Sequence, residues 1–213
     1  GSATKPWTTI QQGIDAAADG AIVAVAAGSY QEDVLIQGKA VRLWGRCPAM
    51  VEVVGTGAEL AAVLILWGAS GTEVRDLAIR GGSRGLLLSG SQEVALERVW
   101  IHDNAVQGAF VQNDYGPTSI EMRGSLVETN REIGVYVGGS EATIEATVVR
   151  DTLPDANGSG RGVRVQPGPD TGAPSTLQLR GSLIERSHEA GVSVRGSEAT
   201  IEATVVRDTL PEA

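Results

Sequence analysis

The chain has 213 residues, a formal net charge of −9, 42% hydrophobic but only 4% aromatic residues, and 28 glycines. Lysine occurs only as Lys5 and Lys39 and basic residues do not cluster, so nothing displaces counterions from a phosphate backbone and nucleic acid is excluded as a partner. The single Cys47 excludes an intrachain disulfide, and no run of 18 apolar residues is present to cross a membrane as a helix.

The N-terminal segment reads differently from the rest. Gly1-Ser2 resembles a remnant of cloning, so an export signal is expected to have been removed. Thr8 and Gln11 have the spacing of a capping box, and Ile10, Ile14, Ala17 and Ala18 share one helical face. Gly20 can end such a helix in a left-handed conformation. A helix over 8–18 is therefore predicted, with AIVAVAAGSY (21–30) following as strand and turn.

Beyond this the chain repeats itself. GSEATIEATVVRDTLP occurs at 139–154 and, unchanged, at 196–211, an offset of 57 residues. Over 117–156 against 174–213, 27 of 40 positions match. A Gly-hydrophobic-x-hydrophobic element recurs from Gly85, Gly108, Gly134, Gly162 and Gly191, with a degenerate copy at Ala62–Ile65. A second pattern lies between these elements: VRDLAIR (74–80), LERVWIH (96–102), IEATVVR (144–150) and IEATVVR (201–207). Short strands of period 2, joined by Gly, Asn and Asp turns at intervals near 25 residues, predict a coil of β-rungs and exclude helical repeats.

The opening TIQQGIDAAADGAIVAVAAGSYQEDVLI resembles that of pectate-lyase-like parallel β-helix proteins, as do the turns His102-Asp-Asn104 and Glu128-Thr-Asn130. The resemblance implies an all-β, right-handed single-stranded parallel β-helix with a short helical cap. Residues 1–33 would form the cap and first strand, and 34–213 the rungs, with the two-rung repeat 117–156 / 174–213. The same scaffold hosts lyases, hydrolases, epimerases, adhesins and inert spacers, so it implies a fold rather than an activity.

In such a coil equivalent residues of successive rungs stack about 4.8 Å apart. One predicted outward column reads Arg75, Glu97, Arg123, Glu145, Arg180, Glu202, and another Arg80, His102, Glu128, Arg150, Glu185, Arg207. Alternating sign turns like-charge repulsion into exposed ion pairs, each worth roughly 0.2–1 kcal/mol, and accounts for a repeat two rungs long. His102 is expected to be solvated there. A third column, the x of GVxV, reads Leu64, Leu87, Phe110, Tyr136, Arg164, Ser193. Its apolar start is a candidate sugar platform or interface, unless a loop covers it. Of the neighbouring Trp100 and Ile101 columns, at most one faces solvent, and alternation alone does not say which.

The longest loops are Gln112–Thr118, Pro154–Arg161 and Gln166–Ser175, and any specificity is expected in Asp114, Tyr115, Arg161 and Asp170. No catalytic set or metal site stands out. The Asp-rich column Gly81, Asp103, Thr129, Asp151, Arg186, Asp208 keeps its carboxylates two rungs, about 9.6 Å, apart, too far to share one Ca²⁺. Glu97 and Glu145 have a glycosidase-like separation, but flanking arginines disfavour a proton donor. The residues therefore favour a non-enzymatic, exported or cell-surface solenoid without cofactor: a spacer, adhesin or interaction scaffold. A polysaccharide-active enzyme (lyase or glycoside hydrolase) or a carbohydrate-binding module using Phe110 and Tyr136 is the alternative. A polysaccharide or cell-surface partner is expected. So is a homodimer, through the open C-terminal rung or an exposed apolar column.

Overall fold

A computed structural model describes residues 4–211. Three parallel sheets run the length of the molecule. The first has eight strands, from Ala21–Ala24 to Glu198–Glu202, and the second eight, from Gly28–Gln31 to Val205–Arg207. The third has seven, from Val34–Ile36 to Ala190–Val194. Each turn of the chain contributes one strand to each sheet in order, which is a parallel β-helix.

Among the described residues the one helix is Ile10–Ala16, not 8–18. Thr9, rather than Thr8, is the N-cap, and its hydroxyl accepts from Gln12 N at 3.2 Å. The shift has a tertiary cause. The Glu32 carboxylate, brought from beyond the second strand, accepts from the amides of Ile10 (2.7 Å) and Gln11 (2.9 Å). At the other end Lys39 Nζ donates to the carbonyls of Asp15 (3.1 Å) and Ala17 (2.7 Å), so the helix stops at Ala17. Gly20, at φ +70°, lies past that end in the turn to the first strand. Ile10 and Ile14 are buried and close the first rung.

The register places the columns. Glu97 pairs with Arg75 and Arg123, then Arg123 with Glu145, Glu145 with Arg180 and Arg180 with Glu202. His102 lies between Arg80 and Glu128, and the second column continues to Arg207. The ladders close in pairs rather than continuously. In the first column Arg75 meets Glu97 at 3.9 Å, Arg123 meets Glu145 at 3.5 Å and Arg180 meets Glu202 at 3.1 Å. In the second, Arg150 meets Glu128 at 2.7 Å and Arg207 meets Glu185 at 2.7 Å. Arg80 instead turns to Glu52 at 2.6 Å. Two further contacts come from turn residues in left-handed backbone: Arg98 grips Asp76 (2.7 and 2.9 Å) and Arg186 grips Asp151 (2.6 and 2.9 Å).

The structure also decides between Trp100 and Ile101. The Ile101 column, from Val53 through Ile79, Val127, Val149 and Ile184, is interior and buried. The Trp100 column is the outer one: Glu52 precedes it, and Leu126, Val148 and Leu183 are half-buried along it.

At the corners the backbone bends inward and its amides leave water, so each needs an internal partner. Three stacks of short polar side chains supply them. Asn104 and Asn130 form one: Asn104 N (3.2 Å) and Nδ2 (2.8 Å) donate to Asn130 Oδ1, and Asn130 Nδ2 donates to the carbonyls of Ile101 and Glu128, both at 3.0 Å. Ser125, Thr147 and Ser182 form another, accepting in turn from the amides of Val99, Ser125 and Thr147. Ser175 and Ser197 accept from Ser140 and Ser175 at the third. The glycine of GVxV is required by closeness: a Cβ on Gly162 would lie 2.6 Å from the Gly191 carbonyl of the next rung.

Asn130→Ala removes the acceptor of two Asn104 N–H groups and the donor to the Ile101 and Glu128 carbonyls, so unfolding in urea should show a loss of about 1–3 kcal/mol. A loss under ~0.5 kcal/mol would remove the ladder from the account of stability. The ion pairs set an acid limit. Arg80 holds the Glu52 carboxyl below its ordinary range, Arg186 does so for Asp151 and Arg207 for Glu185. Carboxylates depressed on folding stabilise above their unfolded pKa of about 4, and that share is lost as pH falls through the lower folded values. The melting temperature should therefore hold from pH 7 to about 5 and drop below about 4. Circular-dichroism melts with no drop down to pH 2 would refute this.

Candidate functional site

The residues singled out in the sequence fall in four places. The x-of-GVxV column does face outward, with Leu64, Leu87, Phe110 and Tyr136 in successive register. It is not an open platform. Leu64, Leu87 and Tyr136 are only 5%, 3% and 4% exposed, and Phe110 is half-buried. Leu64 and Leu87 form a small outer cluster with Ala61 and Leu66, against which Leu35 and Phe110 pack. Phe110 stacks on Tyr136 with ring centroids 4.4 Å apart, and the Arg84 guanidinium lies over Phe110 at 4.5 Å. Burial lowers the Arg84 pKa. Adjacent outward side chains are large enough to cover one another on rungs this close, so a run of apolar residues need not expose a sheet of apolar surface.

Arg161 is committed to structure, paired with Glu189 at 2.6 Å. His102 is buried rather than solvated, with 7% of its side chain exposed. The Trp100 ring stacks on it at 3.8 Å, and Nδ1 meets the Asp103 carboxylate at 2.8 Å. Glu97, the glycosidase-like candidate, is held by Arg98 at 2.5 Å. Among the described residues no three His, Cys, Asp or Glu side chains gather as a metal would need.

The loops are different. Two of them, 113–118 and 167–175, lean toward each other across the intervening rung. Asn113 makes the link: its Oδ1 accepts from Thr171 Oγ1 at 3.0 Å, across 58 positions of sequence. Glycine gives it passage, because a Cβ on Gly139 or Gly168 would collide with the Asn113 amide. Asp114 and Asp170 are thereby brought within electrostatic reach. Burial first, and then the Asp170 charge, push the Asp114 carboxyl above the usual carboxylate range.

The same loop also turns back over the preceding rung. Tyr115 N donates to Ser89 Oγ at 3.0 Å, and Gly90 N donates to Thr118 Oγ1 at 2.8 Å. This sets the Tyr115 ring edge-on to Trp67, centroids 4.9 Å apart, and both stay open to solvent at 54% and 48% exposure. Beneath the strip Tyr136 Oη accepts from Gln166 Nε2 at 2.9 Å, and burial raises its pKa. A shallow groove lined by Gln166, Pro167, Arg195 and Gly196 continues the strip on later rungs. The turns after the third sheet thus carry an exposed aromatic pair, the Asp114 and Asp170 carboxylates within electrostatic reach, and a groove. Sequence reasoning found Asp114, Tyr115 and Asp170 but missed Trp67 and Asn113. The signal for Trp67 was its place just after Ala62–Ile65, at the same edge as Tyr115.

With that geometry in view, comparison with known proteins is informative. A family model described as a right-handed β-helix region matches residues 58–153. This is a right-handed parallel β-helix protein. The β-helix superposes on an alginate lyase from Paenibacillus sp. str. FPU-7 with TM-score 0.62 at 11% identity, covering 96% of this chain and 95% of that one. Pectin methylesterase from carrot gives TM-score 0.65 at 14% identity, over 94% and 68%. The catalytic domain of a GH87 alpha-1,3-glucanase in complex with nigerose gives 0.54 at 14% identity, over 88% and 41%. Identities this low carry the fold and not the activity. No curated protein matches the β-helix.

Asn113→Ala should unfasten the two loops without unfolding the rungs. Amides of residues 113–118 should then exchange with solvent at least about tenfold faster, at nearly unchanged melting temperature. Equal exchange in both proteins would mean that the Asn113–Thr171 link holds nothing.

Proposed function

We propose that this β-helix is a polysaccharide-active protein that lays a glycan along the turns after its third sheet and cleaves it by acid–base chemistry between Asp114 and Asp170. The supporting observation is the open Trp67–Tyr115 pair beside Asp114, whose carboxyl burial and then the Asp170 charge push up. Sugar rings present apolar faces that stack on aromatic side chains, and Trp67 and Tyr115 are the exposed aromatic pair on this edge. An aspartate that keeps its proton more readily than usual suits a general acid, and an ionised partner suits a base or nucleophile. The fold neighbours agree in kind, being a lyase, an esterase and a glucanase named for polysaccharides. This reading places the protein outside the cell, with a polysaccharide as partner, and displaces the inert spacer favoured by the regular charge columns.

A panel of polysaccharides, including uronate polymers with and without Ca²⁺ and α-1,3-glucan, tests it by reducing-end release. Turnover on one substrate should fall by about 10²–10⁴-fold in Asp114→Asn, as expected for loss of a general acid. Trp67→Ala should act mainly by raising KM. Binding without turnover, lost in Tyr115→Ala, would make the protein a carbohydrate-binding module. Neither binding nor turnover would return it to the scaffold reading.

A further inference from the structure

From Trp67 to Asp170 the turns after the third sheet are 66–72, 90–93, 113–118, 139–140 and 167–175, and their charged side chains are Glu93, Asp114 and Asp170. All three are exposed acids. The cations around this stretch lie outside it or are engaged. Lys39, one turn earlier, donates to the carbonyls of Asp15 and Ala17. Arg164, on the strand before the last loop, lies in the field of Glu189. Arg195 stands one turn later, a rung past Asp170.

The same turns run straight into a groove on the first sheet. Loop 113–118 leads into Ser119 and loop 167–175 into Thr176, and both residues line it together with Glu93, Glu121, Glu141 and Gln178. In register Glu141 pairs with Thr176, and Glu121 and Gln178 flank Thr143. Arg123, two positions beyond Glu121, is engaged by Glu121 and, at 3.5 Å, by Glu145. Burial, and then the Asp170 charge, already push the Asp114 carboxyl up, so the field at that acid is negative.

These groups differ in what they can bond. A carboxylate only accepts hydrogen bonds, whereas a threonine hydroxyl or a glutamine amide also donates. A sugar hydroxyl can donate to the first and accept from the second. The carboxylate of a uronic acid can only accept, so before Glu93, Glu121 or Glu141 it meets repulsion and no hydrogen bond. Given that a glycan lies on this edge, as proposed above, we infer that it is uncharged, a polymer of neutral hexoses, and that Glu93 and Glu141 exclude acidic glycans. Trp67 and Tyr115 supply stacking that is indifferent to charge, and the carboxylates set the discrimination by repelling the wrong partner.

Calorimetric titration of the full chain carrying Asp114→Asn, so that no sugar is consumed, tests this. The probes are glucose hexamers of several linkages, galacturonate and mannuronate hexamers, and a glucosamine hexamer. At about 20 mM salt a neutral hexamer should bind at least about tenfold more tightly than either uronate, and the gap should narrow at about 500 mM as the charges are screened. Trp67→Ala should weaken the neutral hexamer. Glu93→Lys with Glu141→Lys should strengthen uronate binding by about tenfold or more. If that double variant melts early, the salt series on the parent chain decides alone. Tighter binding of a uronate or of the glucosamine hexamer than of any neutral one would overturn the charge assignment and leave the glycan edge standing. So would a neutral preference that neither salt nor the two lysine substitutions move. Binding of no hexamer, or binding untouched by Trp67→Ala, would overturn the edge itself and the charge assignment with it.

Discussion

The core, the charge columns and the corners of this molecule follow from stacking each residue on its own equivalent, one strand spacing away, in parallel register. Inside, that places Val on Leu on Ile for the length of the coil and yields one continuous apolar core. Outside, it would place charge on like charge, and the arginine–glutamate alternation removes that penalty. At the corners it stacks backbone amides that water cannot reach, and columns of Asn, Ser and Thr accept from them. The three solutions differ chemically, but one spacing imposes them all.

The same constraint explains where chemistry can sit. A residue on a strand is flanked above and below by its column mates. The Phe110–Tyr136 stack therefore covers itself, and Glu97 is taken up by Arg98 and Arg75. Loops that leave the rung escape this rule. The turns after the third sheet vary in length, so short glycine-bearing turns leave room for long ones to fold across them. Asn113 reaches Thr171, and Tyr115 reaches Trp67, because Gly139, Gly168 and Gly90 leave room for them. The regular scaffold carries the ladders, and the candidate site belongs wholly to its irregular rim.

Much of the fold was legible before any coordinates. The 57-residue repeat, the GVxV elements and the two charge columns specify rung length and register directly, because in-register stacking writes itself into sequence as periodicity. The candidate site was legible only in part. Asp114, Tyr115 and Asp170 stood out as loop residues, but nothing local joined 113 to 171, and Trp67 was marked only by its place after the degenerate Ala62–Ile65 element. His102 looked solvated because its column is charged, yet Trp100 two positions earlier lies flat against it.

By itself the sequence determined the solenoid, its columns, and the alternation that holds its register, since each of these depends on residues at fixed separations along the chain. Tertiary structure alone decided that the helix starts one residue after Thr9, that Trp100 rather than Ile101 looks outward, and that two distant loops meet through Asn113 and Thr171. Those outcomes rest on Glu32, on the direction of a three-residue strand between two corners, and on a loop crossing a glycine. Such contacts form between elements whose spacing in sequence carries no period, and only the folded coil brings them together.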